Sequence, residues 1–189
     1  EEVLAYSNRV YINVSGISAI GENGTVTISG FDADIDGHYE NLDGPVDGWK
    51  DIIQVVHPDT RNVVGLKTDG TVVSMGESPE IYDVSEWSDI VQIANSHGSA
   101  YGLKSDGTVV ACGESNEAGE LNVEEWTGVV SLYNCSYTRA MYALTESGKM
   151  ITTSQKRGSV VETWKNVIDF SFSRGYALGL KEDETVYSL

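Results

Sequence analysis

Trp87-Ser88-Asp89-Ile90-Val91-Gln92-Ile93, followed eight residues on by Tyr101-Gly102-Leu103-Lys104-Ser105-Asp106-Gly107-Thr108-Val109, is the stretch on which the fold turns. An aromatic anchor leads into a β-branched run, a strand former. A very small residue then sits directly before a large apolar one, Gly102-Leu103, and four residues after Leu103 comes the glycine of an Asp-Gly turn. Asp-Gly between apolar runs predicts a two-residue hairpin loop, in which both central residues take positive φ. Thr108-Val109 then opens a further strand.

Working outward, the same pattern recurs along the chain. The tryptophans are Trp49, Trp87, Trp126 and Trp164, spaced 38, 39 and 38 residues apart. Each has a valine three residues earlier and a β-branched pair after it: Ile52-Ile53, Ile90-Val91, Val129-Val130 and Val167-Ile168. The turns are Asn23-Gly24, Asp69-Gly70, Asp106-Gly107, Ser147-Gly148 and Asp183-Glu184. Glu184 stands where glycine is expected, which predicts a strained turn or one of another type. The small–large pairs are Ala19-Ile20, Gly65-Leu66, Gly102-Leu103, Ala143-Leu144 and Gly179-Leu180. Neighbouring strand residues face opposite ways. One face is therefore expected to fill a core, and the other to let a neighbouring backbone come close.

Units of about forty residues with three or four strands cannot bury their faces alone and must stack, and a β-propeller is the solution that fits. The fold expected is all-β, a propeller of about five units forming a single repeat domain over 1–189, with repeats at approximately 4–48, 49–86, 87–125, 126–163 and 164–189. The first unit has Leu4 in the place of tryptophan, and the fifth stops at Leu189 after its third strand. Residues around Val3 to Ser7 would complete that last blade in a closed ring. The alternative is an incomplete part of a larger ring.

Composition narrows the partners. Of 189 residues, 12 are Lys or Arg and 29 are Asp or Glu, a net charge of −17. Nucleic-acid binding draws on Lys and Arg neutralising phosphates, so DNA, RNA and anionic membranes fit poorly, whereas cations and basic partners fit well. No run reaches the roughly 18–20 apolar residues of a membrane span. Cys112 and Cys135 stand at different phases of the repeat and are expected as small, partly buried thiols rather than a disulfide.

The segments Trp87 to Ile93, Tyr101 to Val109 and Gly113-Glu114-Ser115-Asn116-Glu117-Ala118-Gly119 resemble a repeat of the regulator of chromosome condensation family, and Gly65 to Val72 matches in the same register. The resemblance covers nearly the whole chain. It implies a propeller, in that family usually of seven blades. The family includes chromatin-bound nucleotide exchange factors, a secreted bacterial propeller that inhibits β-lactamases, and bacterial surface proteins. The acidic charge disfavours the chromatin role, which leaves a bacterial extracellular or cell-surface protein as the expectation.

One local motif stands apart. Gly24 to Trp49 spans 25 residues, against 16 to 19 at the equivalent connections, and the excess is acidic. Asp32, Asp34 and Asp36 alternate before Gly37, which is the opening of a calcium loop. His38 would offer its backbone carbonyl, and Asp43 falls at position twelve, where a bidentate glutamate is usual. The metal ligands expected are Asp32, Asp34, Asp36, His38 and Asp43, and the only cofactor expected is a structural calcium.

Catalytic patterns are sparse. His38, His57 and His97 are not spaced as a metal pair, His57 and His97 sit at similar loop phases and are expected as turn residues rather than bases, no serine lies in a Gly-x-Ser-x-Gly elbow, and the recurrent aspartates belong to the turns. The expectation is a non-enzymatic scaffold that binds another protein through its rim loops. The alternatives are a carbohydrate-active or hydrolytic enzyme with its site in the propeller mouth, and a structural segment of a larger adhesin.

Overall fold

The turns of the sequence become the hinges of hairpins, and each hairpin forms the heart of one sheet. The computed structural model describes residues 10–12, 17–29, 31–33, 39–41, 44–135, 139–154, 158–173 and 176–189. Unit one contains β1 (Val10–Ile12), β2 (Ile17–Ile20) and β3 (Val26–Ser29), then the hairpin β4 (Phe31–Ala33) and β5 (Tyr39–Asn41), and β6 (Gly44–Pro45), which pairs with β3. Unit two is β7 (Ile52–Val56), β8 (Asn62–Lys67) and β9 (Val72–Gly76). Unit three is β10 (Ile90–Ser96), β11 (Ser99–Lys104) and β12 (Val109–Gly113). Unit four is β13 (Val129–Tyr133), β14 (Tyr142–Thr145) and β15 (Met150–Thr152), followed by a single helical turn, α1 (Gly158–Val161). Unit five is β16 (Val167–Ser173), β17 (Tyr176–Lys181) and β18 (Val186–Ser188). Each unit is an antiparallel meander, and the five registers agree: Ile20↔Val26, Leu66↔Val72, Leu103↔Val109, Leu144↔Met150 and Leu180↔Val186.

The turn differs from the two-residue form read from Asp-Gly. Lys67 N donates to Thr71 O at 2.9 Å, and Gly70 N donates to Lys67 O at 3.1 Å. The loop is therefore residues 68–70, a tight turn closed by one left-handed residue, Gly70 at φ 80°. Asp69 recurs because its carboxylate accepts from Thr71 N at 2.9 Å and Thr71 Oγ1 at 2.6 Å. The same pair of bonds joins Asp106 to Thr108 and Asp183 to Thr185. The fifth turn is of the same type: Lys181 N reaches Thr185 O at 2.9 Å, and Glu184 takes the left-handed place at φ 64°.

Sheets stack in chain order, and a core fills each joint. Ile20, Val26 and Ile28 of unit one meet Trp49, Ile52, Val55 and Val63 of unit two. Val64, Leu66 and Val72 of unit two meet Trp87, Ile90, Ile93 and Ala100 of unit three. Two further joints repeat the arrangement around Leu103 with Val129 and Leu132, and around Leu144 with Trp164 and Phe170. The small residue beside each leucine has a different purpose from the one expected. The unit's own tryptophan, not a neighbouring backbone, lies against it: a Cβ on Gly65 would come within 2.6 Å of the Trp49 ring, on Gly102 within 2.9 Å of Trp87, and on Gly179 within 2.7 Å of Trp164. In unit four alanine occupies the place, and Trp126 is only partly buried.

Backbone bonds also cross the joints. The turn glycine of each unit accepts from the first residue of the next: Ile52 N to Gly24 O, Ile90 N to Gly70 O, Val129 N to Gly107 O and Val167 N to Gly148 O, at 3.0–3.2 Å. Cys112 is partly buried, Cys135 is buried, and no disulfide joins them. Burial pushes the Cys112 thiol up to about 12. Closure by residues around Val3 to Ser7 lies outside the described residues. No helix among the described residues is long and apolar enough to cross a membrane.

Candidate functional site

The first strands of units two to five, β7, β10, β13 and β16, lie side by side and form a concave wall. Each contains a β-bulge at one repeat phase, between Ile52 and Gln54, Ile90 and Gln92, Val129 and Ser131, and Val167 and Asp169. A bulge adds an unpaired residue and re-aims its side chain. The added residues are Ile53, Val91, Val130 and Ile168, which are 48%, 56%, 53% and 50% exposed. Their spacings of 38, 39 and 38 residues match those of the tryptophans, so the geometry is built four times. The sequence shows two adjacent β-branched residues in each unit. The structure separates them: the first enters the core, and the second leaves it.

The residue after the bulge ties the wall together. Gln54 donates from Nε2 to Ile93 O at 2.7 Å and accepts from Ile93 N at 2.8 Å. Gln92 repeats this with Leu132, at 2.8 and 2.9 Å. One amide group thus satisfies both backbone groups of a residue in the next unit. The equivalent residue is Ser131 in unit four and Asp169 in unit five, and Asp169 caps its own neighbour, accepting from Phe170 N at 2.8 Å.

Wall and rim meet in a cavity of about 900 Å³. Ile53, Val91 and Val130 line it from the wall with Gln54, Gln92 and Ser131, while Glu22, Asn23, Gly24, Asp51 and Thr68 line it from the turns. Asp51 and Asp89 open their strands in the left-handed conformation, at φ 60° and 59°, and their carbonyls accept from Thr68 N and Ser105 N at 2.9 Å. The rim is therefore held by backbone bonds, and its hydrogen-bonded turn aspartates are held below the usual carboxylate range, Asp69 and Asp106 by the side chain and amide of Thr71 and Thr108.

His57 sits elsewhere and has a different role from the turn residue expected of it. It is buried between units one and two, with the Tyr11 ring stacked on it at 5.9 Å and its Nε2 hydrogen-bonded to Ser18 Oγ. Ser18 is buried too, so this Ser–His pair is sealed from solvent. Burial lowers the imidazole to about 4, against a smaller opposing effect of Asp59. The Asp59 carboxylate is engaged otherwise, accepting from Asn62 N, Asn62 Nδ2 and Tyr82 Oη at 2.8–3.1 Å. Tyr11 Oη donates to Asn95 Oδ1 at 2.5 Å, and Asn95 Nδ2 donates to His57 O at 2.9 Å, which links units one to three.

Of the calcium ligands expected, only Asp32 falls in a described segment. It lies on β4 with its backbone opposite Glu40 of β5, so the segment folds back on itself as an antiparallel pair. Asp34, Asp36, His38 and Asp43 lie outside the described residues. Among the described residues no three His, Cys, Asp or Glu side chains are grouped to hold a metal ion.

Five stacked antiparallel meanders with a concave wall of first strands define a β-propeller-type repeat protein. No family model and no curated protein matches the sequence. Among solved structures, Prp20p from Saccharomyces cerevisiae is similar at a TM-score of 0.64 and 12% identity, covering 95% of this chain and 57% of Prp20p. Human WBSCR16 is similar at 0.64 and 12%, covering 96% of this chain and 62% of that one. The ectodomain of the Arabidopsis thaliana receptor kinase ACR4 is similar at 0.59 and 13%, with coverages of 93% and 62%. Prp20 is yeast RCC1, and the fold is therefore that of the RCC1-type propellers named by the resemblance. The chain spans less than two thirds of the length of each of these structures.

Proposed function

We propose that the protein is a non-enzymatic interaction scaffold whose concave wall and adjoining rim turns bind a protein partner. The observation that carries this is the row Ile53, Val91, Val130 and Ile168, half exposed at one repeat phase on four bulged strands. Burying apolar side chains next to the core would be favourable, yet each unit turns one outward. Such a row, rimmed by polar turns, has the make-up of an interface centre. The similar fold of Prp20p, whose structure was described with its binding to Gsp1p and histones and also in complex with Kap60, supports protein binding as the class of function. The net charge of −17 favours a partner with a basic rim around an apolar contact. We extend the reading to a secreted or cell-surface setting, on the resemblance and the acidity.

The test is affinity capture with the intact chain and with Val91→Asp/Val130→Asp. Both side chains are half exposed, so the variant is expected to keep its circular dichroism and melting temperature. A partner held by the wild type and released by the variant supports the proposal. Equal capture by both would remove the concave wall as the binding surface.

A further inference from the structure

Glu22 and Asp51 are the charged residues of the cavity, and among the described residues no Lys, Arg or His lines it. Neither carboxylate is required by the backbone that carries it. Asp51 opens β7 in the left-handed conformation at φ 60°, a place that Gly128 and Asn166 fill in units four and five at φ 63° and 58°. The turn of unit one is closed by Gly21 N to Thr25 O at 2.8 Å and Gly24 N to Gly21 O at 3.0 Å, with no part for the Glu22 side chain. Asp69, Asp106 and Asp183 differ, because the following threonine engages each of them. Glu22 and Asp51 are both exposed, and neither side chain has a hydrogen-bond or ion-pair partner among the described residues.

The turn of unit one has also lost the cation that its counterparts carry. The residue after the small–large pair is Lys67, Lys104 and Lys181 in units two, three and five, and Lys181 Nζ lies 3.4 Å from Asp183 Oδ2. In unit one that residue is Gly21, and Glu22 follows where Thr68 and Ser105 stand. The turn is pressed onto the start of β7: a Cβ on Gly24 would lie 2.6 Å from Asp51 Cα. Glu22 and Asp51 therefore belong to one corner of the cavity. Ile53 follows Asp51 by two residues, about 7 Å along the strand, so the apolar row begins beside the carboxylates. A concave site with one sign of charge focuses its field and draws in the opposite charge.

We propose that the cavity seats a partner's apolar peptide segment bearing a lysine or arginine, with the cation at Glu22 and Asp51 and the adjoining apolar side chains on Ile53, Val91 and Val130. The inference rests on the concave wall being a binding surface and adds the chemistry of what binds there. An acidic segment would meet two like charges. A wholly apolar one would cover the carboxylates without pairing them, which is costly. A lysine or arginine side chain satisfies both parts of the cavity, since its methylene stem covers apolar surface while its charged end reaches the carboxylates. The lining comes from units one to four, so the cavity is bounded by joints internal to the chain.

The probe is a short fluorescein-labelled peptide of alternating leucine and lysine, titrated with the intact chain and read by anisotropy. Leucine–glutamate and lysine–serine peptides of the same length are the comparisons. The leucine–lysine peptide is expected to bind, the leucine–glutamate peptide not to, and the lysine–serine peptide to bind more weakly. No binding of the first, or equal binding of the first and either of the others, would overturn the proposal. Glu22→Gln/Asp51→Asn should weaken the leucine–lysine peptide by about tenfold with unchanged circular dichroism, because asparagine tolerates the left-handed place. Glu124→Gln/Glu125→Gln removes the same charge from exposed positions outside the cavity and should leave the dissociation constant unchanged. An equal loss in both pairs would reduce the effect to net charge and sink the proposal. Val91→Ser/Val130→Ser separates the two readings. Binding lost there but kept in Glu22→Gln/Asp51→Asn would retain the wall and remove the cation site, whereas binding kept in both would remove the wall as well.

Discussion

Gln92→Ala isolates the bond pattern that ties one unit to the next. The substitution removes Gln92 Nε2 to Leu132 O at 2.8 Å and Leu132 N to Gln92 Oε1 at 2.9 Å, while leaving the bulge and the apolar cores in place. Both bonds border the cavity, where water can replace part of what is lost, so each carries its net value rather than the cost of a sealed, unpaired group. Two such bonds amount to about 2 kcal/mol. In a domain of this length each kcal/mol moves the melting temperature by about 2–4 °C, so a fall of about 4–8 °C is expected. Urea unfolding followed by circular dichroism measures the free energy, and the slope with denaturant should not change. Gln92→Glu is the matched control. It keeps an acceptor for Leu132 N but turns an oxygen toward Leu132 O, so it should be at least as destabilising at neutral pH. A loss below about 0.5 kcal/mol in Gln92→Ala, within the range of an ordinary surface change, would refute the reasoning that these glutamines hold the joints.

Three further outcomes are expected. Folding holds His57 at about 4 against 6.5 for the free side chain. The unfolded chain therefore binds the extra proton between these values, stability is full above 6.5 and falls as the pH drops toward 4, and the loss is about 3 kcal/mol. Unfolding titrations should show this slope and lose it in His57→Gln. Gly102→Ala places a methyl 2.9 Å from the Trp87 ring and 3.0 Å from Ile90 Cδ1, which should cost about 1–3 kcal/mol and red-shift tryptophan emission. For the acidic segment, the calcium proposal predicts higher melting temperatures in millimolar calcium than in EDTA, an effect of about 2.7 kcal/mol at a hundred times the dissociation constant, absent in Asp34→Ala. Identical melts in calcium and EDTA would leave positions 32–43 as an acidic insertion.

The repeat is legible in the sequence because its signals are local. Tryptophan spacing, the Asp-Gly-Thr turns and the small–large pairs each arise from contacts within one unit, so the five repeat sheets follow from sequence order, whereas their registers are set by a three-residue loop in place of the two-residue one read from Asp-Gly. The candidate site is not legible, for the opposite reason. Ile53, Val91, Val130 and Ile168 look like core residues beside Ile52, Ile90, Val129 and Val167, and only the bulge, a consequence of pairing with the second strand, turns them out. Gln54 and Gln92 give a usable signal, a polar residue at one phase of a strand otherwise apolar, but its meaning depends on the neighbouring unit. The purpose of Gly65, Gly102 and Gly179 escapes sequence reading on similar grounds: the need for a small residue is evident in sequence, whereas the ring lying on it is evident only once the chain has folded back. His57 is hidden because a single histidine before a proline reads as a turn, and its burial comes from Tyr11 and Ser18 of another unit.

The central claim, binding through the concave wall, is tested most directly by amide hydrogen exchange of the intact chain with and without its captured partner. The account predicts added protection at Ile52–Gln54, Ile90–Gln92 and Val129–Ser131, together with the turns at 22–24 and 68–70. Protection confined to the outer strands β9, β12 and β15, with the first strands unchanged, would contradict it.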